Sequence, residues 1–129
     1  METNFKPDGY NCVSPYFIVD DPQCFIDFLK TVFDGDVTRC FTKDDGQINH
    51  AEVKIMDSIV MLSGTTADYP ANSLLLHVYV PDVDKVYEKA LRAGCQGLEV
   101  PRNKDDDPDK RGMFQDDMGN TWAIGTQKQ

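Results

Sequence analysis

The chain has 129 residues, enough for one domain with its own core, and 40% of them are apolar. It carries 22 carboxylates against 13 Lys and Arg, a net charge of -9. That balance argues against nucleic acid or an anionic membrane as the main partner, since both need clustered positive charge.

Met1 to Asn11 reads as a polar arm with a turn at Pro7-Asp8-Gly9. A first strand is expected over Val13 to Val19. Asp20 or Asp21 can cap a helix whose first turn holds Pro22. Its apolar residues Phe25, Ile26, Leu29, Val32 and Phe33 recur at three and four, so one face is buried. Gly35 is expected to end it as a left-handed cap. Strand 2 follows over Val37 to Thr42, then a hairpin turn at Asp44-Asp45-Gly46. Strand 3 is Ile48 to Ile55. A turn at Asp57-Ser58 leads to strand 4, Ile59 to Ser63.

The same order then repeats. Gly64 to Ser73 is a polar linker. Strand 5 is Leu74 to Val80, and Asp82 caps a second helix with the stripe Val83, Val86, Tyr87, Ala90 and Leu91, stopped at Gly94. Strands 6, 7 and 8 are expected near Gly97 to Arg102, Arg111 to Asp116 and Thr121 to Thr126. The run Asp105-Asp106-Asp107-Pro108-Asp109 reads as a solvated loop, because it lacks the spaced ligands and central glycine of a calcium loop. The reading is one domain over 1–129, with module one at about 13–64, a linker at about 65–73 and module two at about 74–127. A module of about 50 residues is marginal as an independent core.

Side chains alternate faces along a strand, and a helix must cover the more apolar face of each sheet. That puts Val13, Pro15, Phe17 and Val19, Val60 and Leu62, Ala51, Val53 and Ile55, Phe114, Trp122 and Ile124 under the helices. The opposite face receives Tyr16, Ile59, Met61, Leu75 and Tyr79 with His50, Glu52, His77 and Arg111. Large apolar groups mixed with a few polar ones are the profile of a small-molecule site.

Cys12, Cys24, Cys40 and Cys95 form no C-x-x-C pair. With no signal-like or membrane-spanning run, a reduced cytoplasmic protein is expected. Cys40 and Cys95 read as buried thiols rather than nucleophiles. His50 with Glu52 could do acid–base work, as imidazole titrates near neutrality, or His50 could simply hydrogen-bond within the sheet. Arg39 and Arg111 could each clamp an anionic ligand group or make a salt bridge, Arg111 with the acidic loop.

At KPDGYNCVSPYFIVDD, DGQINHAEVKIMDSIVMLS, HVYVPDVDKVYEKALRAG and KRGMFQDDMGNTWAIGT the sequence resembles the vicinal oxygen chelate superfamily of glyoxalases, bleomycin-resistance proteins and extradiol dioxygenases, and within it the PhnB-like branch. The resemblance implies an α+β fold of two βαβββ modules forming an eight-stranded, U-shaped open barrel, and a homodimer. Metal-using members place one ligand on each of strands 1, 4, 5 and 8. Those positions carry over to Ser14, Met61, Leu75 and Ala123, none of them His or Glu, so no metal or other cofactor is expected. The expected function is small-molecule binding, with Tyr16, His50, Glu52, Met61, His77, Tyr79 and Arg111 as ligand contacts and His50 and Glu52 as the catalytic candidates if there is a reaction. The alternative is a metal-dependent lyase, isomerase or dioxygenase with relocated ligands, drawn from His50, Glu52 and His77.

Overall fold

The doubled strand-helix-strand-strand-strand order read from the sequence is the order of the fold. The structure is a computed structural model and describes residues 4–128; the first three residues of the expected arm lie outside them. The chain divides into one unit up to Ala71 and a second from Asn72.

In the first unit, β1 (Tyr16–Val19), α1 (Pro22–Phe33), β2 (Asp36–Thr42), β3 (Ile48–Ile55) and β4 (Ser58–Gly64) form a sheet in the order β1-β4-β3-β2. In the second, β5 (Leu75–Tyr79), α2 (Val83–Arg92), β6 (Gln96–Asn103), β7 (Asp109–Gln115) and β8 (Thr121–Gln127) repeat it as β5-β8-β7-β6. The last strand of each unit returns between the first and third. It is parallel to the first and antiparallel to the third.

Local chemistry sets the helices. The Asp21 carboxylate accepts from Cys24 N and Pro22 occupies the first turn, where its missing N–H costs nothing. Asp82 caps α2 in the same way through Lys85 N. The α1 stripe Phe25, Ile26, Leu29, Val32 and Phe33 is buried as its spacing predicts. In α2, Val83, Val86, Tyr87 and Ala90 are buried, while Leu91 is exposed. Phe17, Val19, Ala51, Val53 and Leu62 complete the core of the first unit; Val80, Phe114, Trp122 and Ile124 complete that of the second. Each large apolar side chain so buried contributes about 1.5–3 kcal/mol.

Several expectations are corrected. The first strand starts at Tyr16, and Val13 is 85% exposed rather than packed under the helix. The left-handed residue that ends α1 is Asp34, at φ 55°, not Gly35. Gly35 is needed for space: a Cβ there would stand 2.8 Å from Val53 Cγ1 and 3.0 Å from the Leu29 carbonyl oxygen. Gly94, at φ 96°, does end α2 in the left-handed region. The β3–β4 turn falls on Met56-Asp57, with Met56 at φ 51°. Ile59, assigned to the open face, is buried, and its N–H donates to Asn11 Oδ1 at 3.0 Å, so the arm reaches the start of β4.

The β7–β8 turn is organised by one carboxylate. Asp116 Oδ1 accepts from Met118 N and Asn120 N, and Oδ2 from Trp122 Nε1 at 2.9 Å. Asn120 Oδ1 in turn accepts from Leu74 N, which ties the turn to the start of β5. No helix among the described residues is long and apolar enough to cross a membrane.

Candidate functional site

The repeat gives each unit a matching polar cluster on the sheet face its helix leaves open. Strand register aligns the units. Tyr16 pairs with Met61 as His77 pairs with Ala123, and His50 pairs with Ser63 as Arg111 pairs with Gly125. Tyr16 therefore corresponds to His77, and His50 to Arg111. Both pairs are hydrogen-bonded: Tyr16 Oη lies 3.0 Å from His50 Nδ1, and Arg111 Nη1 lies 2.7 Å from His77 Nε2.

In the first unit the chain of contacts continues inward. His50 Nε2 is 2.8 Å from Glu52 Oε2, and the Tyr10 hydroxyl donates to Glu52 Oε1 at 2.6 Å. Thr38 Oγ1 sits 2.8 Å from Tyr10 Oη, and Arg39 Nε is 3.7 Å from Glu52 Oε1 with its guanidinium over the Tyr10 ring. Met61 lies in the row between Tyr16 and Glu52. Glu52 is only 4% exposed. Burial alone would raise its pKa, but the hydrogen bonds from Tyr10 and His50 and the nearby charges outweigh that and hold it below the usual carboxylate range. Burial, and then the bond to Glu52, push the Tyr10 hydroxyl up. Phe41 stacks beside His50 at 6.1 Å between centroids and is exposed, as is Tyr16.

In the second unit Arg111 is the hub. Its Nε donates to Asp107 Oδ2 at 2.7 Å and its Nη2 to Asp109 Oδ2 at 2.6 Å. Tyr79 donates its hydroxyl to the same Asp109 oxygen at 2.7 Å. A guanidinium can only donate, so His77 Nε2 accepts and its ring hydrogen is on Nδ1. Burial, then the Arg111 charge, lowers the His77 pKa, with Asp109 opposing. The bond to Asp109 raises the Tyr79 hydroxyl. The Asp109 backbone N–H, then Arg111, lowers Asp107. Arg111 rises, chiefly through its bond to Asp107. The His77 and Tyr79 rings meet edge to face at 4.6 Å. A Cβ on Gly125 would come within 3.3 Å of His77 Nε2, so glycine keeps the floor under that ring open.

The predicted residues thus separate into two groups: Tyr16, His50, Glu52 and Met61 in the first unit, His77, Tyr79 and Arg111 in the second. Sequence reasoning missed Tyr10, an aromatic residue just past the arm's turn. It also missed the depth of the acidic run. Asp105 and Asp106 are exposed, but Asp109 is 3% exposed and starts β7, and with Asp107 it neutralises Arg111. Asp109 stands two residues before Arg111, hence on the same strand face, which was a readable signal. Of the two readings of Arg111, the salt bridge with the acidic loop is the one formed. Arg39 likewise pairs, with Glu52. Cys95 is buried and its thiol is pushed up to about 12 by burial and by Asp116 and Asp117; Cys40 is exposed, contrary to expectation.

Residues 12–124 match the model of the Glyoxalase/Bleomycin resistance protein/Dioxygenase superfamily. The chain belongs to that superfamily. An uncharacterized protein of Mycobacterium bovis is 29% identical to this superfamily member over 97% of this chain and 86% of its own length. TioX from Micromonospora sp. ML1 shares the fold at a TM-score of 0.73 and 21% identity, over 90% of this chain and 99% of its own. TnmS3, an antibiotic binding protein from Streptomyces sp. CB03234, does so at 0.69 and 20%, over 92% and 100%.

The positions that the sequence resemblance assigns to metal ligands carry no donor set suited to a divalent ion. Ser14 precedes β1 and accepts from Asn11 Nδ2; Met61 offers a soft thioether; Leu75, 72% exposed, and Ala123 offer no donor. A two-residue shift brings in His77, but its Nε2 is held by Arg111 and its neighbour on β8 is Ala123. Among the described residues no three His, Cys, Asp or Glu are placed to hold a metal ion.

Two concavities are lined by none of the predicted residues. One, of about 480 Å³, lies at the start of α1 among Asp21, Lys43, Gln47, Gly64 and Thr65. Another, of about 290 Å³, lies at the start of α2, where Lys110 and Asp84 make a 2.7 Å ion pair.

Proposed function

We propose that this superfamily member binds a small organic molecule on the open sheet faces, without the divalent metal used elsewhere in the superfamily. The observation that carries the reading is the pairing, on each open face, of exposed apolar and aromatic groups with a hydrogen-bonded polar cluster. Exposed Tyr16 and Phe41, with half-buried Met61, accompany His50 and Glu52; exposed Leu75 and Tyr79 accompany His77 and Arg111. Apolar walls with a few fixed polar groups suit ligand binding. The antibiotic-binding TnmS3 adds support as a relative in fold. A cytoplasmic homodimer of the PhnB-like branch is part of the proposal, and the branch rests on the four sequence strings quoted above.

A second reading has one observation in its favour. Glu52, His50 and Tyr16 form a continuous hydrogen-bonded chain that could move a proton to or from a bound substrate.

Elemental analysis and native mass spectrometry of one purified preparation test the first reading. The expected result is a homodimer with substoichiometric divalent metal and a small-molecule adduct or a saturable ligand-induced mass shift. Stoichiometric metal, removable by chelator with loss of ligand binding, would overturn it.

A further inference from the structure

On the open face of the second unit one ring nitrogen is left with a hydrogen to give. A guanidinium can only donate, so the 2.7 Å contact between Arg111 Nη1 and His77 Nε2 makes that nitrogen the acceptor. An imidazole that accepts at Nε2 is uncharged and carries its hydrogen on Nδ1. The lowered pKa of His77, caused by burial and then by Arg111, agrees with an uncharged ring. Among the described residues nothing accepts the Nδ1 hydrogen.

The arrangement is built from two strands across a third. Arg111 of β7 pairs with Gly125 of β8, and a Cβ on Gly125 would stand 3.3 Å from His77 Nε2. The glycine therefore leaves the guanidinium a path to β5. Arg111 is itself held, because Asp107 accepts from Nε and Asp109 from Nη2. A fixed donor thus fixes the tautomer of the ring it meets. Around that ring the surface is apolar and open. Leu75, His77 and Tyr79 alternate onto one face of β5, successive side chains about 7 Å apart. Leu75 is 72% exposed and Tyr79 57%. The Tyr79 hydroxyl gives its hydrogen to Asp109, so it does not compete with His77 as the donor.

We infer that the open face of the second unit takes neutral aromatic molecules through a hydrogen-bond acceptor, aryl carbonyls above all, with His77 Nδ1 as the donor and Arg111 as its positioning residue. Leu75 and Tyr79 supply the contact for the aryl group. An anion gains little here, because the charge of Arg111 already faces two carboxylates. An ammonium has no lone pair for the Nδ1 hydrogen. This inference rests on the small-molecule reading above and narrows it to one face and one ligand class.

Two NMR measurements test it, both at about pH 8, well above the ordinary imidazole pKa of 6.5. In isotope-labelled protein, correlations between the ring nitrogens and the carbon-bound hydrogens of His77 report which nitrogen is protonated. The expected form has the hydrogen on Nδ1, and Arg111→Met should release the ring to exchange between its two neutral forms. Acetophenone, benzoate and benzylammonium are then titrated against the backbone amide resonances of β5 and β8. Acetophenone should bind about fivefold more tightly than either ion, the worth of one neutral hydrogen bond. His77→Phe, a ring-for-ring change at an exposed position, should bring the three affinities to within about twofold of one another. Ratios of affinities are insensitive to a loss of stability common to all three titrations.

A wild-type ring protonated at Nε2 would overturn the inference. So would benzoate or benzylammonium binding as tightly as acetophenone; both results leave small-molecule binding in place. An acetophenone preference that survives His77→Phe refutes the assignment to His77. If no probe moves any resonance up to millimolar concentration the inference falls, and if no ligand copurifies either, the small-molecule reading falls with it.

Discussion

The two units share one plan but distribute bulk in opposite ways. In the first, the helix is heavy: α1 packs on β3 and β4, burying Phe25 and Leu29 of the helix and Val53 and Val60 of the strands. In the second, the helix is light and the sheet heavy. The corresponding residues are Val86 and Ala90 on α2, and Phe114 and Trp122 on β7 and β8, which pair with each other. The first strand runs against that trade, since Phe17 in β1 corresponds to Val78 in β5. At these positions bulk removed from the helix reappears in β7 and β8, which is how close-packed interiors accept divergence.

The helix starts differ in a related way. Val83 N donates to Thr126 Oγ1 at 2.9 Å, and that hydroxyl donates to the Val80 carbonyl at 2.7 Å. The corresponding residues in the first unit are Pro22, which has no N–H, and Gly64, which has no side chain. The donor N–H and its hydroxyl acceptor are present together in the second unit and absent together in the first.

The sharpest way to break the comparison is to remove bulk from the heavy sheet. Trp122→Ala should cost about 3–5 kcal/mol, through the cavity and the loss of the Asp116 partner. Importing the heavy helix alone, with Ala90→Leu, should cost about 1–3 kcal/mol by overpacking. Combining Ala90→Leu with Trp122→Val should cost less than the two single changes together, if helix and sheet share one volume. Urea denaturation of the wild type, the single variants Trp122→Ala, Trp122→Val and Ala90→Leu, and the double variant measures all of these, and strict additivity would refute the trade.

Next in size is the buried carboxylate of the first unit. Glu52→Gln should cost about 1.5–3 kcal/mol near neutral pH, the range for hydrogen bonds to a charged group. Because the folded pKa of Glu52 lies below its ordinary 4.5, its contribution is present above that value and is lost as pH falls through the folded pKa. The stability difference between wild type and Glu52→Gln should therefore shrink from about pH 5 downward. Denaturation midpoints measured from pH 7 to pH 3 check this, and a difference that grows on acidification would contradict it.

The helix starts give the smallest effect. Thr126→Ala should cost about 1 kcal/mol, the usual worth of a capping acceptor. The reciprocal Gly64→Thr should not stabilise, since Pro22 has no hydrogen to give, although a Cβ there has an ordinary 3.5 Å contact with Pro22 Cγ. Thermal unfolding of both variants decides it, and a stabilising Gly64→Thr would show that the pairing is incidental.

Which parts of this were legible in the sequence follows from how local the controlling physics is. The caps Asp21 and Asp82, the proline start, the three-and-four stripes and the glycine-marked turns act within a few residues, so the doubled unit and most core positions were readable from the sequence. The alternation along β3 and β5 likewise put His50, Glu52, His77 and Tyr79 in the open-face set. Gly35 misled because glycine is used there for closeness to Val53, a residue 18 positions away, and not for its backbone angle. Tyr10 and Glu52 are 42 residues apart, and nothing in a polar arm announces that its tyrosine will close on a buried carboxylate.

The sequence by itself determined the α+β repeat and the helix starts, because those depend on residue type and short-range periodicity. Only the tertiary structure decided which partners the polar residues take. Strand order places Arg111 between two aspartates and a histidine, and places His50 between a tyrosine and a glutamate. Hydrogen-bond partnership requires heavy atoms within about 3 Å, and only the folded chain sets such distances between residues far apart in sequence.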